Sequence, residues 1–145
     1  MQGSSSGDYH GVVHIHHLAL RTANVERLAA FYQDVIGLVL ADGNELRAKS
    51  RWLMAGSSFV MIEPRGADEP DVAVGSMELT AFAIAPSERA DAERRLARAG
   101  VVIEHRTSFT LYFRDPDGRS VGLSHYPQSP ADEGERAPPA TPHPR

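Results

Sequence analysis

HLALRTANVERLAAFYQDVIGL, residues 17–38, passes from an alternating β-prone run into an amphipathic helix that a glycine closes. Asn24 is a good N-cap, because its side-chain oxygen can accept from the first free backbone N–H groups of a helix. Val25, Leu28, Ala29, Tyr32, Val35 and Ile36 then recur on one helical face, and Gly37 supplies the left-handed stop. Upstream, the β-branched and apolar run 12–20 reads as a strand. Downstream, strands are expected around 38–41, 46–54 and 59–63, separated by Asp42-Gly43-Asn44 and Gly56-Ser57-Ser58. The order is β, α, β, β, β.

The second half repeats that order. A strand at 78–84 leads to Ser87 as N-cap, a helix through Leu96 closed by Gly100, and strands at 101–105, 109–113 and 120–125. Asp115-Pro116-Asp117-Gly118 makes a strong turn before the last strand. A constant offset of about 62 relates Ala19 to Ala81, Leu20 to Phe82 and Gly56 to Gly118, with Gly37 and Gly100 one residue further apart. The ends differ in kind. Residues 1–11 are Ser- and Gly-rich and read as a disordered leader. Residues 127–145 carry six of the chain's ten prolines and few large apolar side chains, which reads as a disordered tail. The domain proper is expected at 12–126, with module one at 12–65 and module two at 77–126.

Bulk composition narrows the function. At 145 residues and 41% hydrophobic content the chain suits one domain. A net charge of −4, with scattered basic residues, offers no footprint for nucleic acid. Cysteine is absent, which removes disulfides, thiolate metal sites and a Cys nucleophile, and accords with a cytoplasmic setting. No apolar run is long enough to suggest a membrane span. No Ser-His-Asp set can be assembled from spacing, and no Gly-rich phosphate loop precedes a helix.

The segments 17–20, 31–38 and 112–118 together resemble the glyoxalase, bleomycin-resistance and extradiol dioxygenase superfamily, also called vicinal oxygen chelate proteins. The resemblance implies an α+β fold in which two tandem βαβββ modules form a curved, cup-like mixed sheet with helices on the outer face. It also implies a divalent metal held by one residue from each of four strands. That pattern falls on His17 and, by the offset, Leu79; the last-strand ligand, usually Glu, falls on Val60 and Gly122. One donor of four remains, so no metal cofactor is expected. The alternative is a Zn, Mn, Fe or Ni site rebuilt by Glu63 or Glu78 through a strand bulge, although alternation sends Glu63 opposite to Val60 and Glu78 opposite to Leu79, outside the cup.

His14 and His16 lie two apart and are expected to share a helix-packed strand face, opposite to His17. Two imidazoles on one face are able to clamp a metal, but with no carboxylate at ligand spacing they read as ordinary hydrogen-bonded histidines, as does His125, while His10 and His143 fall in the ends. Residues of His17's parity are expected to line the cup: Ala19, Arg21, Val60, Ile62, Ser120, Gly122 and Ser124. Arg47, Arg51, Trp52 and Tyr112 come from adjoining strands, and each Arg reads first as a surface charge.

Three functions compete. The first is a metal-free protein that sequesters a drug or small metabolite, as antibiotic-binding members of the superfamily do. The second is a metal-dependent lyase, isomerase or dioxygenase. The third is a metal-free enzyme with His17 as general base, assisted by Tyr112 or Ser124. A homodimer with cups at its interface is what the resemblance implies for assembly, with a small-molecule ligand as partner.

Overall fold

The computed structural model describes residues 13–43 and 49–128. Strand β1 (His17–Thr22) leads through the Asn24 cap to helix α1 (Val25–Phe31), and the Asn24 side chain accepts from the Arg27 N–H at 3.1 Å. The expected single helix to Ile36 is instead α1 followed by a π-helical turn, Tyr32–Ile36. The widened turn closes on Tyr32, whose carbonyl accepts from the N–H groups of both Gly37 and Leu38. Gly37 stands at φ 95°, a conformation in which a Cβ would be strained. Strands β2 (Val39–Leu40), β3 (Arg51–Ala55) and β4 (Ser58–Pro64) complete the module. The expected strand at 46–54 and the Asn44 turn signal fall partly outside the described residues.

Module two runs from β5 (Leu79–Ala83) through a 3-10 turn at Pro86–Glu88 into α2 (Arg89–Arg98), then β6 (His105–Arg106), β7 (Thr110–Arg114) and β8 (Ser120–Ser124). Ser87 lies inside the 3-10 turn and is not the N-cap. Each module folds into one four-stranded mixed sheet, in the orders β1-β4-β3-β2 and β5-β8-β7-β6. The first and last strands of each module pair in parallel, and the hairpins are antiparallel. The architecture is α+β, two tandem modules of one plan.

Alternation decides which face of each sheet is buried. Leu20, Leu53, Val60 and Ile62 of the first sheet, and Leu111, Phe113, Val121 and Leu123 of the second, share one core with Leu28, Ala92 and Leu96 from the helices. The helix-side faces of both sheets therefore feed a single core, and the opposite faces remain open. Arg95 Nε donates to the Val35 carbonyl across the modules at 3.2 Å, and Phe31 packs on Phe113 with ring centroids 6.2 Å apart.

At the centre of this junction lies Tyr32, 1% exposed, whose hydroxyl donates to Asp115 Oδ2 at 3.0 Å. Burial, first, and then the Asp115 carboxylate raise the Tyr32 hydroxyl well above its ordinary range. Asp115 Oδ1 accepts from the backbone N–H groups of Asp117 and Arg119, and Oδ2 also accepts from Arg119 Nη1 at 3.2 Å. Arg119 Nη2 in turn donates to the Arg21 carbonyl at 2.6 Å. The Phe-Tyr pair of the first helix and the Asp-Pro-Asp-Gly turn of the second module are thus halves of one buried lock. Gly118, at φ 91°, completes the turn that aims these groups.

Candidate functional site on the open sheet faces

The open face of the first sheet follows from its ladder. His17 pairs with Phe59, Ala19 with Met61 and Arg21 with Glu63, while Trp52 lies beside Met61 and Met54 beside Phe59. Paired residues project to the same side, so these residues share His17's face. Four rings form a closed circuit there. His17 lies 5.4 Å from Trp52, Trp52 5.7 Å from Phe59, Phe59 6.1 Å from His16, and His16 5.2 Å from His17, centroid to centroid. At the far end Arg21 Nη1 donates to Glu63 at 2.8 Å, while Arg21 Nε and Nη2 both grip Glu69. The Arg21 hydrogen bonds hold Glu69 below the usual carboxylate range, and Glu69 raises Arg21.

This geometry corrects four sequence expectations. Val60 and Ile62 do not line the open face. They are 2% and 0% exposed and belong to the core, because the ladder sets Val60 beside Leu18 and Ile62 beside Leu20. Glu63 is opposite to Val60, as alternation requires, and that places it on His17's face rather than outside the cup. The offset also slips. His17 to Leu79 spans 62 residues, but Ala19 pairs with Met61 where Ala81 pairs with Gly122, a spacing of 61. The counterpart of Gly122 is therefore Met61. Finally, His14 and His16 precede β1 and are exposed, and His16 turns toward His17 instead of packing beneath the helices. A signal for the first correction was present in the sequence: a core-facing Glu63 would be costly to bury, which alone assigns Val60 and Ile62 to the core.

On the second sheet Leu79, Ala81, Ala83, Ser120, Gly122 and Ser124 share the open face with Thr110, Tyr112 and Arg114. Ser124 is already engaged. Its Oγ lies 2.7 Å from Thr110 Oγ1 and accepts from the Tyr126 N–H. Gly122 is covered rather than vacant, since a Cβ there would stand 3.3 Å from Thr110 Cγ2 and 3.4 Å from Ala81 Cβ. Tyr112 packs against His105 at 5.6 Å, and Arg114 pairs with Glu104 at 3.2 Å. Arg51 pairs with Glu26, and Arg47 lies outside the described residues. His125 approaches Arg89 at 3.4 Å and packs on Phe109.

The two open faces lie on separate four-stranded sheets, His17 on the first and Tyr112, Ser120 and Ser124 on the second. Between the modules runs a cleft of about 1070 Å³, lined by β5 along its whole length and by Leu18, Phe59 and Val60. It takes in none of His17, Arg21, Ser120, Gly122 or Ser124. At the four positions that the resemblance assigns to metal ligands stand His17, Met61, Leu79 and Gly122. They offer one imidazole and one thioether. Among the described residues no group of three or more His, Cys, Asp or Glu side chains is arranged to hold an ion.

The fold defines a two-module βαβββ protein, and comparison with known proteins gives the family. The pattern of the Glyoxalase/Bleomycin resistance protein/Dioxygenase superfamily matches residues 14–123, and the chain belongs to that superfamily. Among solved structures, the fosfomycin resistance protein FosX from Mesorhizobium loti is similar at 18% identity and a TM-score of 0.66, over 86% of this chain and 99% of that one. Lactoylglutathione lyase from Agrobacterium tumefaciens is similar at 21% identity and a TM-score of 0.58, over 79% and 94%. An integron cassette protein from the mobile metagenome of V. cholerae is similar at 25% identity and a TM-score of 0.61, over 78% and 94%. A search among curated proteins gives no match. No helix among the described residues is long and apolar enough to cross a membrane.

Proposed function

We propose that this chain binds a flat or apolar small molecule on its open sheet faces without a metal ion, as a sequestering protein for a drug or metabolite. The observation that carries this reading is the donor set His17, Met61, Leu79 and Gly122. A hard or borderline divalent ion needs roughly three or more His or carboxylate ligands to hold it against water, and this set supplies one. The residue types present favour a different partner. His17, Trp52 and Phe59 offer stacking surface, Met54 and Met61 offer adaptable apolar contact, and Ser120 offers a hydroxyl. The superfamily likeness sets no substrate, because the fosfomycin and lactoylglutathione proteins share the fold at about one residue in five.

One chain presents two half-sites. Leu79 is 42% and Met54 43% exposed on the open faces, and β5 leaves one edge unpaired. A second copy that lays its second sheet against the first sheet of its partner would cover both faces and close a cup, so the functional unit of this reading is a homodimer.

The test is a titration of Trp52, the single tryptophan, with a panel of planar aromatic compounds, neutral and cationic, in buffer containing a chelator. Saturable fluorescence change, weakened in Phe59→Ala and His17→Ala while both remain folded, supports the reading. A flat response across the panel removes it.

A further inference from the structure

β5 is an edge strand of the second sheet, and the cleft of about 1070 Å³ between the modules runs along it. Residues of both parities line that cleft, Leu79, Ala81 and Ala83 from the open face and Thr80 and Phe82 from the core face, so the strand meets it edge-on. The Ile84 N–H donates to the Ser124 carbonyl, which turns the even-numbered residues of β5 toward β8. The backbone groups of Leu79, Ala81 and Ala83 therefore point to the free edge. An unpaired edge beside an apolar cleft is a place where another segment adds.

The chain itself supplies a segment there. The described residues end at Gln128, and Gln128 lines the same cleft. Its approach is fixed, because the His125 N–H donates to the Phe109 carbonyl at 2.9 Å and Tyr126 packs on Phe109 with ring centroids 5.1 Å apart. Beyond it, residues 136–145 read RAPPATPHPR, with four prolines, two arginines and no carboxylate. The link 129–135 spans up to roughly 25 Å, enough to double back from Gln128. Residues 138–144 cover about 22 Å at the extension of a Pro-rich segment, against about 20 Å for the edge 79–84. Charge agrees with length. Asp34, Glu88 and Asp91 line the cleft against Arg95, and Arg95 is already paired with Asp91 at 2.6 Å.

We propose that residues 136–145 dock in this cleft of their own chain, as a basic, Pro-rich segment laid along the β5 edge. Backbone carbonyls of such a segment suit the free N–H groups of Leu79, Ala81 and Ala83, its proline rings suit Phe59 and Phe82, and its arginines suit Asp34 and Glu88. Proline has no N–H, so the docked segment covers the edge without offering a full ladder to a further strand. The inference goes beyond the ligand reading above and does not depend on it.

The chain contains no cysteine, so Ala140→Cys in the full chain carries a nitroxide at a single position. Amide resonances are compared with those of the same variant bearing a diamagnetic label. Signal is expected to be lost at Leu18 and at Leu79–Ala83 and kept at His105–Arg106, on the far edge of the second sheet. Arg136→Glu combined with Arg145→Glu is expected to restore the β5 signals with the rest of the spectrum in place. A loss at β5 that this charge reversal leaves unchanged is the signature of a tail tethered nearby but not docked, and overturns the proposal. A loss centred on Trp52 and Met61 of the open face overturns it too. So does a loss at β5 that arises only between spin-labelled chains and unlabelled, isotope-enriched ones, which would give the cleft to the tail of a second copy.

Discussion

Replacing Tyr32 with Phe removes one oxygen atom from the buried junction between the modules, and the structure sets what that should cost. The hydroxyl donates to Asp115 Oδ2 at 3.0 Å, in a place where the Asp115 side chain is 0% exposed. A hydrogen bond to a charged group is worth roughly 1.5–3 kcal/mol. Asp115 Oδ2 keeps Arg119 Nη1 at 3.2 Å in the variant, so the lower part of that range, about 1.5–2 kcal/mol, is expected for Tyr32→Phe. That is about a tenfold to thirtyfold fall in the folded-to-unfolded ratio. Asp115→Ala should cost more, about 3 kcal/mol, because it also leaves two backbone N–H groups of the turn without their acceptor, while Arg119 keeps Asp117 Oδ2 and the Arg21 carbonyl. The assay is urea unfolding followed by far-ultraviolet circular dichroism and Trp52 fluorescence, with the denaturant slope unchanged if only stability moves. A Tyr32→Phe variant within about 0.5 kcal/mol of the parent would refute the lock, since a change of that size belongs to an ordinary surface substitution.

The same pair carries a pH signature. Tyr32 is raised above its ordinary value, so its contribution is complete below about pH 10 and is lost as pH rises past that point, because the unfolded chain gives up the proton first; alkaline unfolding should be shallower in Tyr32→Phe. Ser124→Ala should cost about 1–2 kcal/mol by leaving the buried Thr110 hydroxyl without its partner, and thermal melting alongside the Trp52 titration should show lost stability with planar-ligand affinity kept. Gly122→Ala should destabilise by about 1 kcal/mol as its Cβ presses on Thr110; an unchanged or raised melting temperature would mean that this part of the second sheet yields freely.

Element order and the repeat were legible because hydrophobic period and turn chemistry are local. Asn24, Gly37 and the Asp115–Gly118 turn mark boundaries by their own backbone preferences. The π-helical turn at Tyr32–Ile36 was not legible, because its widened hydrogen bonding serves burial of Tyr32 against a partner 83 residues away. The sheet face of the candidate site residues was half legible. Ser120 and Gly122 fall on the open face as parity requires, and so do Arg21 and His17. A constant offset places Val60 and Ile62 on the wrong face, because the β4 to β8 spacing is one residue shorter than the β1 to β5 spacing. A single-residue slip exchanges every side chain between faces. Glu63 carried the missing constraint, since a carboxylate that cannot be buried fixes the parity of its whole strand. The approach of His16 to His17 had no sequence signal, because it depends on the chain leaving regular β geometry just before β1.

Manganese uptake decides whether the open sheet faces hold a metal ion. Mn(II) favours oxygen and mixed oxygen–nitrogen sites of high coordination number, so a working four-strand site should take it up, whereas the set His17, Met61, Leu79 and Gly122 should not. With the full chain and Mn(II) at equal concentration, the six-line resonance of the aqueous ion should keep its full intensity. Uptake of one ion per chain that is abolished in His17→Ala would overturn the metal-free reading and place a metal in the cup.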